Sequence, residues 1–234
     1  MKKALITGIS GQDGSYLSEF LLKKNYEVHG VIRRVALEDE THRLWRIRKI
    51  RDKITLHSGS LESFPSIAKI INKVQPDEIY HLAAQSYPHV SFENPIETYQ
   101  TNIDGTENIL NATLKYSPEA IVHVCSSSEV FGRVSKDKVP INEETNFHPA
   151  SPYAISKCAT DLIGRYYAEA YQLNTQITRM FTHTGPRRGD VFMESTFAKQ
   201  IALIEKGFQE PIVQVGNLES MRTIADVRDA VRAY

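Results

Sequence analysis

The chain has 234 residues, and its 28 basic and 28 acidic residues give a formal net charge of zero. This balance argues against a nucleic-acid or membrane-surface binder, and the lack of any run of about 18 apolar residues argues against a membrane span. The N-terminal stretch lacks the length and cleavage site of a signal peptide, and two cysteines are too few for a disulfide framework. We therefore expect a cytoplasmic protein in which Cys125 and Cys158 are free thiols.

Strand-like and helix-like segments alternate along the chain. Runs rich in β-formers at residues 3–7, 26–32, 54–57, 78–83, 120–126 and 175–181 predict six strands. Apolar residues at helical spacing predict helices at 16–24, 64–74, 94–116 and 152–171. This alternation predicts an α/β fold with a doubly wound parallel sheet, because right-handed crossovers place helices on both faces of the sheet.

The segment after residue 192 has a less regular pattern. A helix-like stretch reaches residue 206, an extended run covers 211–216, and a further helix starts near residue 224. The apolar face of that last helix has little left to pack against within the sequence. We therefore expect a smaller C-terminal lobe that is truncated.

A glycine pattern follows the first predicted strand. Gly8, Gly11 and Gly14 form G-x-x-G-x-x-G between that strand and the next helix. Glycine permits a tight turn and a close backbone approach to a pyrophosphate, and the helix N-terminus offers free N–H groups to the same anion. Because the pattern lies at a strand-to-helix turn near the start of the chain, it predicts a dinucleotide-binding site.

Two arginines stand where the second predicted strand ends. An acid at this point would bond the ribose hydroxyls of NAD and repel a 2′-phosphate, whereas the guanidinium groups of Arg33 and Arg34 can pair with that phosphate. We therefore predict NADP rather than NAD; the alternative is that both arginines are surface charges. The basic run 43–53 is interpreted as a solvated helix face, with a phosphate-facing role as its alternative.

Tyr153 and Lys157 are four residues apart in a predicted helix, so they lie on one face of it. A nearby ammonium favours the phenolate and lowers the pKa of the tyrosine, which could then take a proton from a substrate hydroxyl. The pair alone is weak, since this spacing also occurs in packing and solvent-facing pairs. The serine run 126–128 strengthens it, because it ends the fifth predicted strand at the edge where open α/β sheets bind ligands, and a serine there can bond a substrate hydroxyl. The alternative for the serine run is turn chemistry.

The order of these motifs resembles that of the extended short-chain dehydrogenase/reductase family. The resemblance rests on the glycine pattern, the serine run 126–128 and Tyr153-x-x-x-Lys157, and it covers essentially the whole chain. It implies an NADP-binding Rossmann domain at residues 1–181, and part of a sugar-nucleotide-binding lobe at 182–234 that is interleaved with the end of that domain. It also implies that Ser127, Tyr153 and Lys157 are catalytic and that the protein is a homodimer or homotetramer.

Within this family, several segments are similar to the GDP-mannose 4,6-dehydratases. They are residues 11–17, 33–34, 82–86, 128–129 and 186–189. The similarity implies a lyase that oxidises C4 of a GDP-linked sugar, loses water across C5 and C6, and returns the hydride to C6. Glu129 would remove the C5 proton, which the C4 ketone makes acidic. The alternative for Glu129 is an exposed acid that caps a loop.

The resemblance also implies a set of binding residues. For the cofactor these are Gly8, Gly11, Gln12, Asp13, Gly14, Arg33, Arg34, Leu61, Ala83, Ala84, Gln85, Tyr153, Lys157, His183 and Arg188. For the substrate they are Ser86, Ser128, Glu129, Thr182, Arg187 and Arg222. No metal site is expected.

Other segments depart from the dehydratase pattern. Thr182-His183-Thr184-Gly185-Pro186 replaces the usual Asn-His-Glu-Ser-Pro and, together with residues 223–229, is closer to the GDP-4-keto-6-deoxymannose reductases. Residues 58–61 lack the aspartate that is usual near the adenine. A reductase or epimerase using NAD or NADP on a related GDP-sugar is therefore the first alternative. A non-catalytic NADP-binding scaffold on the same fold is the second.

Overall fold

A computed structural model of the chain describes residues 1–33, 35 and 40–234. Its main sheet contains six strands, which are β1 (Lys3–Thr7), β2 (Glu27–Ile32), β3 (Thr55–Ser58), β4 (Glu78–His81), β5 (Ile121–Cys125) and β6 (Thr175–Thr178). The strands pair in parallel in the order β3-β2-β1-β4-β5-β6. This confirms the predicted doubly wound sheet, whose strand order reverses between β1 and β4.

Helices connect these strands and extend beyond them. They are α1 (Gln12–Lys23), α2 (Glu40–Arg43), α3 (Phe64–Val74), α4 (Pro88–Glu93), α5 (Pro95–Tyr99), α6 (Gly105–Tyr116), α7 (Pro152–Tyr171), α8 (Met193–Glu205) and α9 (Val227–Ala233). Short 3₁₀ helices cover Arg48–Lys53, Ser128–Phe131 and Lys136–Lys138. No helix in the described ranges is long and apolar enough to cross a bilayer.

Each face of the sheet has its own apolar core. Leu5 of β1 points into the core formed with α3, α6 and α7, whereas its neighbour Ile6 points into the core formed with α1 and α9. This follows from the two-residue period of a strand, which sends successive side chains to opposite faces. Leu5 and Ile6 are both fully buried, and each burial stabilises the fold by about 1.5–3 kcal/mol relative to exposure.

The region predicted as one helix at 94–116 is interrupted. The structure has α5, then a wide helical turn at Gln100–Asp104, then α6. Thr101 and Asn102 are buried in this turn, and such π-type turns are frequent at functional sites. The prediction missed this interruption, because apolar spacing on both sides of it continues and does not distinguish a wide turn from a regular helix.

The start of α1 and a second small sheet also differ from prediction. α1 begins at Gln12 rather than at residue 16, because the glycines and polar residues of its first turn carry no apolar signal. Two short strands, β7 (His183–Thr184) and β8 (Ala225–Asp226), pair in parallel outside the main sheet. α9 follows β8 directly and packs against α1.

Candidate active site

The turn after β1 is built for close backbone contacts. Gly8 has φ +73°, and a Cβ atom there would lie 2.9 Å from the amide nitrogen of Ala83, which follows β4. A Cβ atom on Gly14 would lie 2.7 Å from the Cα atom of Ile9. The glycines therefore let the start of α1 sit directly beside the β1–β4 switch point, where open α/β sheets bind ligands.

A cleft of about 1050 Å³ opens at this carboxyl edge of the sheet. Its walls come from the glycine turn, the loops after β4 and β5, the start of α7, and parts of the segments 180–197 and 214–222. Of the predicted site residues, those in its walls are Gly8, Gly11, Gln12, Asp13, Gly14, Ala84, Ser86, Ser127, Ser128, Glu129, Tyr153, Lys157, Thr182, His183, Arg188 and Arg222. The structure thus brings most of the predicted set to one cavity.

Ser127, Glu129 and Tyr153 meet in this cleft. The Ser127 side chain accepts a hydrogen bond of 3.2 Å from the Glu129 amide and thereby caps the 3₁₀ turn Ser128–Phe131. Burial raises the pKa of Tyr153 above its usual value; a hydrogen bond to Ser127 lowers it in part, and the nearby Glu129 charge raises it. The hydroxyl, phenol and carboxylate are therefore close enough to influence one another.

Lys157 does not have the effect on Tyr153 that the sequence analysis expected. Its Nζ atom donates a 2.7 Å hydrogen bond to the carbonyl oxygen of Cys125 at the end of β5. Burial lowers the pKa of Lys157 and raises that of Tyr153. In this structure the expected depression of the pKa of Tyr153 is absent, because desolvation of the phenolate is the largest influence on that pKa.

Several predicted residues lie outside the walls of the cleft. Leu61 is buried in the core beneath α3 and α6, and Ala83 packs beneath Gly8. The Gln85 side chain bonds Thr98 and the backbone amide of Tyr87.

Arg187, predicted to bind substrate, instead lies against α1, where it forms an ion pair with Glu19 at 2.7 Å.

The two arginines after β2 are only partly described. Arg33 is exposed and forms an ion pair with Glu62 at 3.3 Å. Glu62 also accepts hydrogen bonds from Ser60 and Thr101. The presence of this acid beside Arg33 was not predicted from the sequence. Arg34 lies outside the described residues.

Two groups in the cleft walls carry polar atoms that are buried without a hydrogen-bond partner in the described part of the chain. They are Nε of Arg188 and Oε1 of Gln12. Burying a guanidinium donor unpaired is costly unless a ligand satisfies it. The Arg188 donor and the free N–H groups at the start of α1 suit the phosphates of a dinucleotide. The Gln12 acceptor suits one of its polar N–H or O–H groups. The described residues contain no group of three or more His, Cys, Asp or Glu side chains that could hold a metal ion.

Two further residues, one in the wall of the cleft and one beside it, were not predicted from the sequence. Arg46, in the basic run interpreted as solvated, reaches the cleft and donates a 2.7 Å hydrogen bond to the Arg187 carbonyl. Asn102, in the wide turn, donates to Ser156 on α7 at 2.9 Å and accepts from the Gln85 amide at 2.8 Å. An asparagine inside a helical run is the one signal that could have pointed to Asn102.

The sequence of the chain matches that of a known protein family. The family model described as GDP-mannose 4,6 dehydratase matches residues 5–234. The chain belongs to this family. It is 39% identical to the GDP-mannose 4,6-dehydratase of Yersinia enterocolitica and 42% identical to the GDP-mannose 4,6 dehydratase of Drosophila melanogaster. Each match covers 99% of this chain, but only 63% and 60% of the relative. The chain thus spans about three fifths of the length of these curated relatives.

Solved structures show the same fold. RMD from Pseudomonas aeruginosa, in complex with NADPH, matches with a TM-score of 0.83 and 28% identity, over 100% of this chain and 72% of that one. The dTDP-glucose 4,6-dehydratase of Bacillus anthracis, in complex with NAD, matches with a TM-score of 0.83 over 100% of this chain and 70% of that one. At 24% identity the second match supports the fold alone.

Proposed function

We propose that the protein is an NADP-dependent sugar-nucleotide 4,6-dehydratase that converts GDP-mannose to GDP-4-keto-6-deoxymannose. The observation that carries this proposal is the meeting of Glu129 with Ser127 and Tyr153 in one cleft. A reductase or epimerase would need the serine, tyrosine and lysine but has no evident need for a second base. Family membership supports the same reaction.

NADP is the proposed cofactor, and the glycine turn with Gln12 and Arg188 would hold it. When bound, it would accept a hydride from C4 of the sugar and return one to C6. Arg33, with its neighbour Arg34 in the sequence, supports NADP over NAD because guanidinium groups pair with a 2′-phosphate. Glu62 does not remove this preference, since it is already paired with Arg33 and bonded to Ser60 and Thr101.

The protein's own groups move the protons. Tyr153 would accept the proton of the C4 hydroxyl, with Ser127 orienting that hydroxyl. The C4 ketone then acidifies the C5 hydrogen, and the Glu129 carboxylate would remove it. The protonated Glu129 would give that proton to the C6 hydroxyl as it leaves as water. C5 would then take up the proton that Tyr153 accepted as the hydride returns to C6, so that both residues regain their starting protonation states. Lys157 would hold the Cys125 carbonyl and the start of α7 in place.

The sugar nucleotide would lie beside the segments that follow β6. Ser86, Ser128, Thr182 and Arg222 are in the cleft walls and are the proposed substrate contacts. We propose residues 1–181 as the cofactor-binding domain and 182–234 as part of the substrate lobe, interleaved with the end of that domain. The interleaving is supported by α9, whose Val227 and Val231 lie in the core formed with α1. Thr182, where the dehydratases usually have asparagine, favours a GDP-4-keto-6-deoxy sugar reductase as the second candidate function.

Product analysis tests this proposal. Purified protein is incubated with GDP-mannose and a trace of NADP, and the products are identified by mass and NMR. A dehydratase accumulates the 4-keto-6-deoxy product far beyond the amount of NADP added, with no net NADPH. A reaction that requires stoichiometric NADPH would contradict the proposal and favour the reductase.

Replacing the proposed base provides the first prediction. Tyr153→Phe keeps the ring that packs in the cleft but removes its hydroxyl, so the rate should fall by about 10²–10⁴-fold. NADP affinity, measured by calorimetry, should stay close to that of the native protein. Substantial remaining activity would mean that another group takes the C4 proton. Tyr171→Phe, exposed at the C-terminal end of α7, is the matched control and should leave the rate unchanged.

A further inference from the structure

The carboxylate of Asp13 is held by distant parts of the fold. Asp13 lies in the first turn of α1, and its Oδ2 atom is 2.6 Å from Nε2 of His183 on β7. The same oxygen accepts a 2.8 Å hydrogen bond from the hydroxyl of Tyr234, which follows α9. Oδ1 accepts one from Gln12 at 3.1 Å. Both carboxylate oxygens are thus engaged inside the protein.

The ring of His183 faces an acceptor at each nitrogen. Nε2 faces the Asp13 carboxylate at 2.6 Å, and Nδ1 lies 2.9 Å from the carbonyl oxygen of Phe181. A carbonyl oxygen and an ionised carboxylate can only accept, so each ring nitrogen must carry a proton to make both bonds. Only the imidazolium form of histidine carries two ring protons.

The neighbouring titratable groups leave His183 as the cation that faces Asp13. Burial raises the pKa values of Tyr234 and of the Cys125 thiol, so both stay neutral. Burial and the nearby Lys157 lower the pKa of His123 to about 4, so it is neutral as well. Arg188, from the loop after β7, is near His183 and disfavours its charge.

The pair responds to pH in one direction over the physiological range. Burial tends to lower the pKa of His183, but the hydrogen bond and charge of Asp13 raise it above its ordinary 6.5. Burial tends to raise the pKa of Asp13, but His183 and Tyr234 bring it below its ordinary 3.8. Both groups are therefore charged at pH values between the lowered pKa of Asp13 and the raised pKa of His183. The ion pair is lost as the pH rises through the pKa of His183.

We propose that Asp13 and His183 form an ion pair that holds the segment 181–184, and with it Thr182, against the glycine turn. Asp13 is then a positioning residue, rather than the cofactor ligand that the sequence analysis expected. The pairing also has an electrostatic consequence. An unpaired carboxylate in the first turn of α1 would repel a pyrophosphate at that helix N-terminus, and the imidazolium cancels this repulsion.

The first experiment examines the ion pair in the protein without ligands. ¹⁵N spectra of the imidazole groups are recorded against pH, with the His183 signals assigned from their loss in His183→Gln. We expect His183 to keep both ring protons above pH 6.5 in the native protein. In Asp13→Asn it should lose one below that value, since burial and Arg188 then act without opposition. A neutral His183 at pH 6.5, or an unchanged titration in Asp13→Asn, would overturn the proposal.

Two further variants serve as controls for the ¹⁵N spectra of His183. Tyr234→Phe removes a donor from Asp13 but leaves the pair intact, so His183 should still titrate above its ordinary value. His148→Gln, an exposed site, should leave the His183 signals unmoved. Should Asp13→Asn fail to fold, a titration of His183 in Tyr234→Phe at or below its ordinary value would still contradict the proposal.

The second experiment rests on the proposed function and reads the positioning effect. With GDP-mannose as substrate, KM should rise as pH passes through the measured pKa of His183, while kcat changes less. His183→Gln should raise KM at least about tenfold and remove this pH dependence, because misplacing a substrate contact weakens productive binding. A purely structural role would lower the melting temperature without a pH-dependent KM. Absence of any product would refute the proposed function but leave the spectra to decide the ion pair.

Discussion

At the scale of single residues, burial determines the charge of the groups in the cleft. It moves the pKa of Tyr153 up and that of Lys157 down, and both shifts favour the neutral forms. The Tyr-x-x-x-Lys spacing correctly placed both side chains in one cavity. It could not show that Lys157 would bond the Cys125 carbonyl, because that partner comes from a strand 32 residues away.

Replacing Glu129, a single residue, distinguishes a 4,6-dehydratase from a reductase or epimerase. Glu129→Gln keeps the shape of the side chain but removes the base, so we expect dehydration to fall by about 10²–10⁴-fold. Exchange of the C5 hydrogen with D₂O solvent, followed by NMR, should be lost in parallel. Glu144→Gln, at an exposed loop position, is the control. Full dehydratase activity in Glu129→Gln would show that a different group removes the C5 proton.

At the scale of elements, the beginning of α7 positions the proposed chemistry. Ser151 precedes the helix, accepts a 3.0 Å hydrogen bond from the Ala154 amide, and is followed by Pro152 at the first helical position. Both are favoured at helix N-termini because they satisfy or remove otherwise free N–H groups. Tyr153 therefore sits in the first turn of a helix whose start is well defined.

Removing this cap should loosen the element. Ser151→Ala leaves the Ala154 amide without its partner, so we expect the free energy of unfolding to fall by about 1 kcal/mol. Urea denaturation followed by circular dichroism measures it. Ser63→Ala is the matched control, since Ser63 precedes α3 without a side-chain cap bond and its loss should cost less. Equal losses in the two variants would contradict a capping role for Ser151.

At the scale of the whole molecule, one face of α7 is apolar and exposed. Ile155, Leu162 and Tyr166 are seven and four residues apart, which places them on one side of the helix. Leu162 is 55% exposed and Tyr166 is 53% exposed. Ile96 of the neighbouring α5 is 65% exposed. We propose that this face joins two copies of the chain, in keeping with the homo-oligomer that the resemblance implied.

A charge on this face should separate the copies. Leu162→Glu places a carboxylate where apolar surface would be buried between subunits, so the variant should sediment as a monomer while the native protein sediments as a dimer or tetramer. Phe208→Glu changes an equally apolar but distant residue, 80% exposed after α8, and should not alter the oligomer. Sedimentation velocity distinguishes the outcomes. A monomeric native protein would rule out this interface.

Local chemistry was enough to establish the fold class and the location of the cleft. The alternation of strands and helices, the glycines after β1 and the residues after β5 act through neighbours in sequence, and the structure has them where they were expected. Three features could not be predicted in this way. They are the wide turn that contains Asn102, the pairing of β7 with β8, and the position of the Arg46 side chain at the cleft. Each depends on a partner far along the chain, which periodicity does not register.

The same division applies to the roles of individual side chains. Arg187 and Arg188 are adjacent in sequence, yet Arg187 pairs with Glu19 on α1 while Arg188 faces the cleft. Asp13 and His183 are 170 residues apart, yet their atoms are in hydrogen-bond contact. Composition and spacing define which chemical groups are available near a turn or a strand end. Packing assigns each group its partner, because desolvation and hydrogen bonding depend on contacts that form only when the layers close.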